Sequence, residues 1–259
     1  MTTHRVTLLS TTPVKGLRMQ HPEAVELGAS GARGDRVFFL LDADGRLTSI
    51  TRNGPLARFT ATWDEQERWL TLTDDAGGAW AADVELGDPV TVDFYGHRQV
   101  HGRVVRGPWA EVLGEAAGRP LTLVQADGPG RATDVEPVTL LGEGSLRALE
   151  RASGLDEVDP RRFRMLIGFS SDEGHLEDTW KGRVVTVGGA TLEVGGPVPR
   201  CAATTRHPET GRRDAPIVRA IKRYRGRQET GFGPGVPFGV YARVVEGGTV
   251  RLGDPLELR

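Results

Sequence analysis

The stretch Leu56-Ala57-Arg58-Phe59-Thr60-Ala61-Thr62-Trp63, with the polar Asp64-Glu65-Gln66-Glu67 and then Trp69-Leu70-Thr71-Leu72-Thr73, decides the fold. Two runs rich in Thr, Leu and aromatic residues flank a short charged segment, which is the pattern of an antiparallel hairpin. The same grammar recurs on both sides. Arg36 to Asp42 is an apolar run that Arg36 enters as its first strand residue. It ends in Asp42-Ala43-Asp44-Gly45, where the Asp-Gly pair favours a turn because glycine tolerates positive φ. Val90 to Tyr95 and Gln99 to Val105 make a third pair. The N-terminal part therefore predicts a β-barrel or sandwich.

The C-terminal part repeats the pattern. Arg183 to Val187, Thr191 to Val194, Val240 to Val245 and Thr249 to Leu252 read as strands, with Gly188-Gly189 and Gly247-Gly248 as hairpin signals between them. Helical spacing is confined to three places. Trp109, Val112, Leu113 and Ala116 follow Pro108; Leu146 and Leu149 precede Gly154; Ile217, Val218 and Ile221 follow Pro216 and run to Gly226. The expected class is mainly β with a few short helices (α+β), with a boundary between Gly107 and Gly118. Ala126 to Pro137, rich in Gly, Pro and Asp, reads as a loop over a site.

Composition narrows the function classes. The 259 residues carry 33 Lys+Arg against 35 Asp+Glu, so overall charge holds the chain to neither nucleic acid nor membrane. A single Cys excludes an intrachain disulfide, a Cys-only zinc site and a four-Cys iron–sulfur centre in this chain. No apolar run is long enough to span a bilayer, and the first residues lack the apolar core of a signal peptide. The cytoplasm is the expected address, in keeping with a free thiol.

Several residues are candidates for chemistry. Cys201 stands in Gly195-Gly196-Pro197-Val198-Pro199-Arg200-Cys201, a rigid loop with a cation beside the thiol. It is either a thiolate ligand or nucleophile, or a small buried hydrophobe. Lys15, between Pro13 and Gly16, is either an anion binder or a solvated strand-end lysine. Arg36 and Arg164 each read as a phosphate fork or as the partner of a carboxylate. Arg200 to Arg227 holds far more cations than carboxylates, which points to an anionic ligand or partner, or to a solvated helix face. His207 and Asp214 allow a Cys/His/Asp triad to be drawn with Cys201, but the His-Pro-Glu-Thr-Gly stretch reads better as a turn. The other histidines make no metal-ligand spacing.

Together these pieces resemble MOSC-domain proteins that carry the associated N-terminal β-barrel domain, the group that includes the mitochondrial amidoxime-reducing components and their bacterial counterparts. The landmarks are Pro13-Val14-Lys15-Gly16, Gly34-Asp35-Arg36, Phe163-Arg164, Glu177-Asp178-Thr179-Trp180, Arg200-Cys201 with Thr204-Thr205, Pro208-Glu209-Thr210-Gly211, Phe238-Gly239-Val240-Tyr241 and Gly253-Asp254-Pro255. The resemblance implies two β-barrel parts, an N-terminal barrel domain over residues 1–115 and a MOSC domain over residues 116–259. It implies a molybdenum cofactor (molybdopterin) between them, with Cys201 as metal ligand and catalytic centre. Lys15, Gly16, Arg36, Arg164, Arg200 and Tyr241 would line the cofactor pocket. The implied activity is reduction of small N-hydroxylated or N-oxide substrates by oxygen-atom transfer, with electrons from a separate protein. The segment Arg219 to Arg227 would be its docking face. Pyridoxal phosphate binding is implied as well. Cofactor carriage, sulfur transfer through a Cys201 persulfide, and a molybdenum-free pocket for another phosphorylated ligand are the alternatives. Gly16 stands where the family often has Ser, Met165-Leu166 where it often has Pro-Asn, and Val198 where the amidoxime reducers carry a second Cys.

Overall fold

Buried and exposed residues alternate in strands such as Ala24–Gly28 and Trp69–Asp74, and strands predominate over helices. The structure is a computed structural model that describes residues 3–128 and 132–259. Of the loop Ala126 to Pro137, residues 129–131 lie outside the described residues. Among the described residues no helix is long and apolar enough to cross a membrane.

In the N-terminal part, Phe59–Asp64 and Trp69–Asp74 pair antiparallel, and Ala79–Asp83 adds a third strand. Leu56 to Arg58 lie outside this hairpin. Pro55 sits at the start of a 3-10 turn, Gly54–Arg58, which takes them. A five-stranded sheet runs in the order Leu47–Thr48, Phe38–Leu41, Thr122–Ala126, Arg98–Arg106, Glu85–Phe94. The two sheets share one core, in which Phe38, Leu40, Phe59, Leu70 and Leu72 meet Trp109 and Leu113 of the helix Trp109–Ala117 (α1). Arg36 does not enter the strand as expected. Its backbone is left-handed at φ 49°, and the strand begins at Phe38.

The C-terminal part closes into a seven-stranded barrel, in the order His4–Leu9, Ile167–Phe169, Val138–Gly142, Pro237–Glu246, Ala190–Pro199, Val184–Val187, Pro255–Leu258. Its first strand comes from the N-terminus of the chain. Gly188-Gly189 turns a true hairpin between Val184–Val187 and Ala190–Pro199. Gly247-Gly248 does not. Pro237–Glu246 already has both edges occupied, so Gly248–Arg251 pairs with Ala24–Gly28 instead. Helices Glu143–Ser153 (α2) and Ile217–Arg225 (α3) pack outside the barrel, each ending at the expected glycine, Gly154 and Gly226. Their apolar faces meet around Phe163, Met165, Phe238 and Tyr241.

A 3-10 turn, Leu176–Trp180, packs against the barrel with Trp180 stacked on Phe169 at 5.1 Å. It buries Glu177 completely. The Ser145 hydroxyl donates to both carboxylate oxygens at 2.8 and 2.9 Å and accepts the His175 N–H at 2.9 Å. Burial pushes the Glu177 carboxyl up to about 7, and the Ser145 hydrogen bonds offset this only in part. The unfolded carboxyl titrates near 4.5, so the native state holds more protons between these two values. Stability therefore falls as pH rises through that window, and the loss is complete above it. Urea unfolding of Glu177→Gln should show the reverse balance: the variant gains roughly 1–3 kcal/mol on the parent between pH 5 and pH 8. A constant difference across that range would refute the burial argument.

Candidate functional site

Three backbone contacts bring the first site residues together. The segment Thr12–Lys15 runs beside Arg36–Phe38: Arg36 N–H donates to Thr12 O at 2.7 Å, Phe38 N–H to Pro13 O at 2.9 Å, and Lys15 N–H to Phe38 O at 2.7 Å. Asp35 fastens this zipper, since its Oδ1 accepts the Thr12 N–H at 2.8 Å. Lys15 and Arg36 thus stand side by side at the edge of the N-terminal part. Arg164 arrives from the other part. It caps the 3-10 turn Pro160–Phe163 with left-handed backbone, and its carbonyl accepts from Arg36 Nη2 at 3.2 Å.

The seven residues expected at the site, Lys15, Gly16, Arg36, Arg164, Arg200, Cys201 and Tyr241, line one cleft between the two parts. The cleft encloses about 830 Å³ including its open mouth. Cys201 starts the turn Ala202–Thr205 and its thiol is free and exposed, so it is not a buried hydrophobe. Its Sγ lies 3.6 Å from the Thr51 hydroxyl. Lys15 is 7% exposed, which excludes a solvated strand-end lysine, and it pairs with Asp134. Gly16 has φ 98°, and a Cβ there would sit 2.9 Å from Ser49, so the 49–51 segment closes over its bare backbone.

The charge pattern is uneven. Arg36 pairs with Asp35, and Lys15 with Asp134. Arg164 and Arg200 have no carboxylate partner among the described residues. Arg200 donates to the Phe163 carbonyl and reaches Met165 Sδ at 3.2 Å, while its buried Nε has no partner. The Arg164 guanidinium makes no hydrogen bond to any described residue. Burial, then repulsion from Arg36, pushes Arg164 down to about 10. Burial likewise lowers Lys15 and Arg200. For Arg36 burial is the largest single effect, but the charges of Asp35 and Asp134 and the Asp35 hydrogen bond together outweigh it, and the net direction is up. For Asp134 desolvation is the largest single effect, but Lys15, with Arg36 and Arg200 adding to it, overcomes it and holds the carboxyl below its usual range. Burial raises the Tyr241 and Tyr95 phenols, with Asp134 adding to the effect.

Backbone strain concentrates here as well. Among the described residues five non-glycine positions have positive φ, and Arg36, Arg164 and Tyr95 of those five line the cleft. Such strain persists where the surroundings over-determine it, commonly at binding sites.

Several lining residues escaped the sequence reading: Asp134, Tyr95, Thr51 and Ser49. Asp134 falls within the loop expected over a site, which was its only signal. Tyr95 was visible only as a strand end. Other expected features separate from the cleft. His207 Nδ1 accepts the Glu209 N–H at 3.2 Å within its own turn, and Asp214 binds Arg162 at 2.7 Å, so no triad forms with Cys201. Of the segment Arg219 to Arg227, Arg225 turns inward to Asp178 and to the Pro237 carbonyl, at 3.2 Å, and anchors α3. Arg219, Lys222, Arg223 and Arg227 are exposed. Among the described residues no group of His, Cys, Asp and Glu forms a metal-holding cluster. A single soft thiol beside unpaired cations is instead the donor set for a phosphorylated cofactor whose metal carries most of its own ligands.

The chain is similar to several known proteins. The chain is 25% identical to mitochondrial amidoxime-reducing component 1 of Homo sapiens, over 94% of this chain and 79% of that protein. Among solved structures it is similar to the YUAD protein from Bacillus subtilis, at 10% identity and a TM-score of 0.46 over 99% and 96% of the two chains. It is also similar to YiiM from Escherichia coli, at 16% identity and a TM-score of 0.34 over 48% and 54%. The MOSC N-terminal beta barrel domain matches residues 3–99 and the MOSC domain matches residues 127–257, half of the chain, so the protein belongs to the MOSC family, which includes molybdenum-cofactor-binding proteins.

Proposed function

We propose that the protein is a molybdenum-cofactor-dependent oxidoreductase that removes oxygen from small N-hydroxylated or N-oxide substrates. The observation that carries this reading is the pairing of an exposed thiol with two guanidiniums, Arg164 and Arg200, that have no carboxylate partner among the described residues. Half-buried cations without counter-charge are costly, and a fold that keeps them suits an anion it does not itself supply. The residues present fit a phosphorylated pterin. When bound, that cofactor supplies the two-electron redox chemistry of oxygen-atom transfer.

The chain's own residues supply the rest. Cys201 offers a thiolate ligand, with the Thr51 hydroxyl beside it to orient the sulfur. Arg164, with Arg36 and Lys15 behind it, neutralises the phosphate. Arg200 and Tyr241 fix the ring system, and the cation of Arg200 is itself held over the Phe163 ring at 5.5 Å. Asp134 opposes the burial that lowers Lys15, and each of the pair shifts the other toward its charged form. The N–O group of a substrate enters on the exposed side of Cys201, past Thr51 and Tyr95. With one cysteine the chain has no four-Cys iron–sulfur centre, so electrons come from a separate protein. The exposed Arg219, Lys222, Arg223 and Arg227 suit an acidic donor. A cytoplasmic setting keeps the thiol reduced.

Protein made in a host that synthesises the cofactor should carry close to one molybdenum per chain. With an added reductase it should turn over a benzamidoxime-type substrate. Cys201→Ala should keep the fold and lose at least ~90% of both metal and turnover. Metal without turnover would identify a carrier. Full metal retention in the variant would remove Cys201 as ligand. Arg164→Met provides a second check. It breaks no hydrogen bond of the side chain and relieves repulsion from Arg36, so ligand-free stability should hold or rise. Cofactor affinity should fall at least tenfold, because a charged hydrogen bond contributes ~1.5–3 kcal/mol. A loss of ligand-free stability above ~1 kcal/mol would show Arg164 to be structural.

A further inference from the structure

A second hollow of about 500 Å³ lies beside the first and shares Ile50, Arg164 and Ala203 with it. Cys201 is not on its wall. Five arginines are: Arg18, Arg161, Arg162, Arg164 and Arg206. Two of them are neutralised, Arg161 by Asp159 and Glu209 at 2.8 and 2.7 Å, and Arg162 by Asp214 at 2.7 Å. The other three meet no carboxylate among the described residues. Arg18 donates only to the Ala57 and Glu209 carbonyls, each at 2.9 Å. Arg206 donates to the carbonyls of Gly211 at 2.7 Å and Thr51 at 3.0 Å, and its Nε is buried with no partner. Arg164 has no side-chain partner at all among the described residues and stands at the junction of the two hollows.

Carbonyl partners orient a guanidinium without cancelling its charge. Two such groups, Arg18 and Arg206, with the unbonded guanidinium of Arg164 and framed by two Arg–carboxylate pairs, make a receptor for a multivalent oxyanion, since guanidinium forks match phosphate geometry. We propose that this lobe is a second oxyanion subsite, which takes a phosphoryl group and joins the Cys201 cleft through Arg164. It does not require molybdenum. The phosphoryl group belongs either to an extended cofactor that reaches past Arg164 or to an independent phosphorylated ligand.

Calorimetric titration of inorganic phosphate into cofactor-free protein at low ionic strength tests it. Two equivalents should bind per chain. Lys15→Met should weaken one of them at least tenfold. Arg18→Met should weaken the other by a similar factor, and Arg206→Gln repeats that test should Arg18→Met fold poorly. A single equivalent, insensitive to both Arg18→Met and Arg206→Gln, would overturn the proposal and leave the cofactor reading intact. Two equivalents in a protein that never takes up molybdenum would do the opposite. Phosphate released from loaded protein identifies the source. Two per molybdenum assigns the second group to the cofactor. One per molybdenum, with free phosphate still bound in an Arg18-dependent way, assigns it to a separate ligand.

Discussion

Keeping four cations together at the edge of water is the constraint on which the structure depends. Lys15, Arg36, Arg164 and Arg200 all line one cleft, yet only Lys15 and Arg36 have carboxylate partners. Like charges at this spacing repel, and burial weakens the solvent screening that would excuse them. The backbone zipper between Thr12–Lys15 and Arg36–Phe38 exists to hold two of them in place, with Asp35 as its fastener. The left-handed turns at Arg36 and Arg164 aim their side chains where regular strand or helix would not. Strain and repulsion gathered at one spot are what the proposed anion site would account for.

The seam between the two parts is what makes such a cleft possible. Neither part alone contains it. The first strand of the chain belongs to the C-terminal barrel, and Gly248–Arg251 returns to pair with Ala24–Gly28, so the parts are stitched twice. Arg206 clamps the carbonyls of Thr51 and Gly211, while Arg18 reaches the Glu209 carbonyl. Gly211, at φ 68°, lies so close to the Gly54 carbonyl that any side chain would overlap it. These contacts fix Thr51 opposite Cys201. They also leave an arginine-lined space beside Ala203 that the strands do not fill.

Most of the hairpins and the three helices were legible in the chain because they rest on local signals: alternation, helical spacing, Pro before and Gly after. Cys201, Lys15, Arg36 and Arg164 stood out by local sequence, but only resemblance to a family joined them with Gly16, Arg200 and Tyr241 in one pocket, since nothing local links Lys15 to Cys201. What could not be read depends on pairing at a distance. Gly247-Gly248 resembles a hairpin, yet the strand before it has no free edge. Arg36 looks like the start of a strand until the zipper with Thr12 turns its backbone. Arg206 and Arg225 look like surface charge, but each finds carbonyls or a carboxylate in the interior. Asp134 carries no motif, and its role appears only once Lys15 stands beside it.

The central claim is that the Cys201 sulfur binds the metal of a cofactor whose anionic part is held by the surrounding cations. X-ray absorption at the molybdenum edge tests it most directly, on loaded parent protein and on loaded Cys201→Ser. The account predicts one fewer sulfur scatterer in the variant. An unchanged sulfur count would place the metal elsewhere and contradict it.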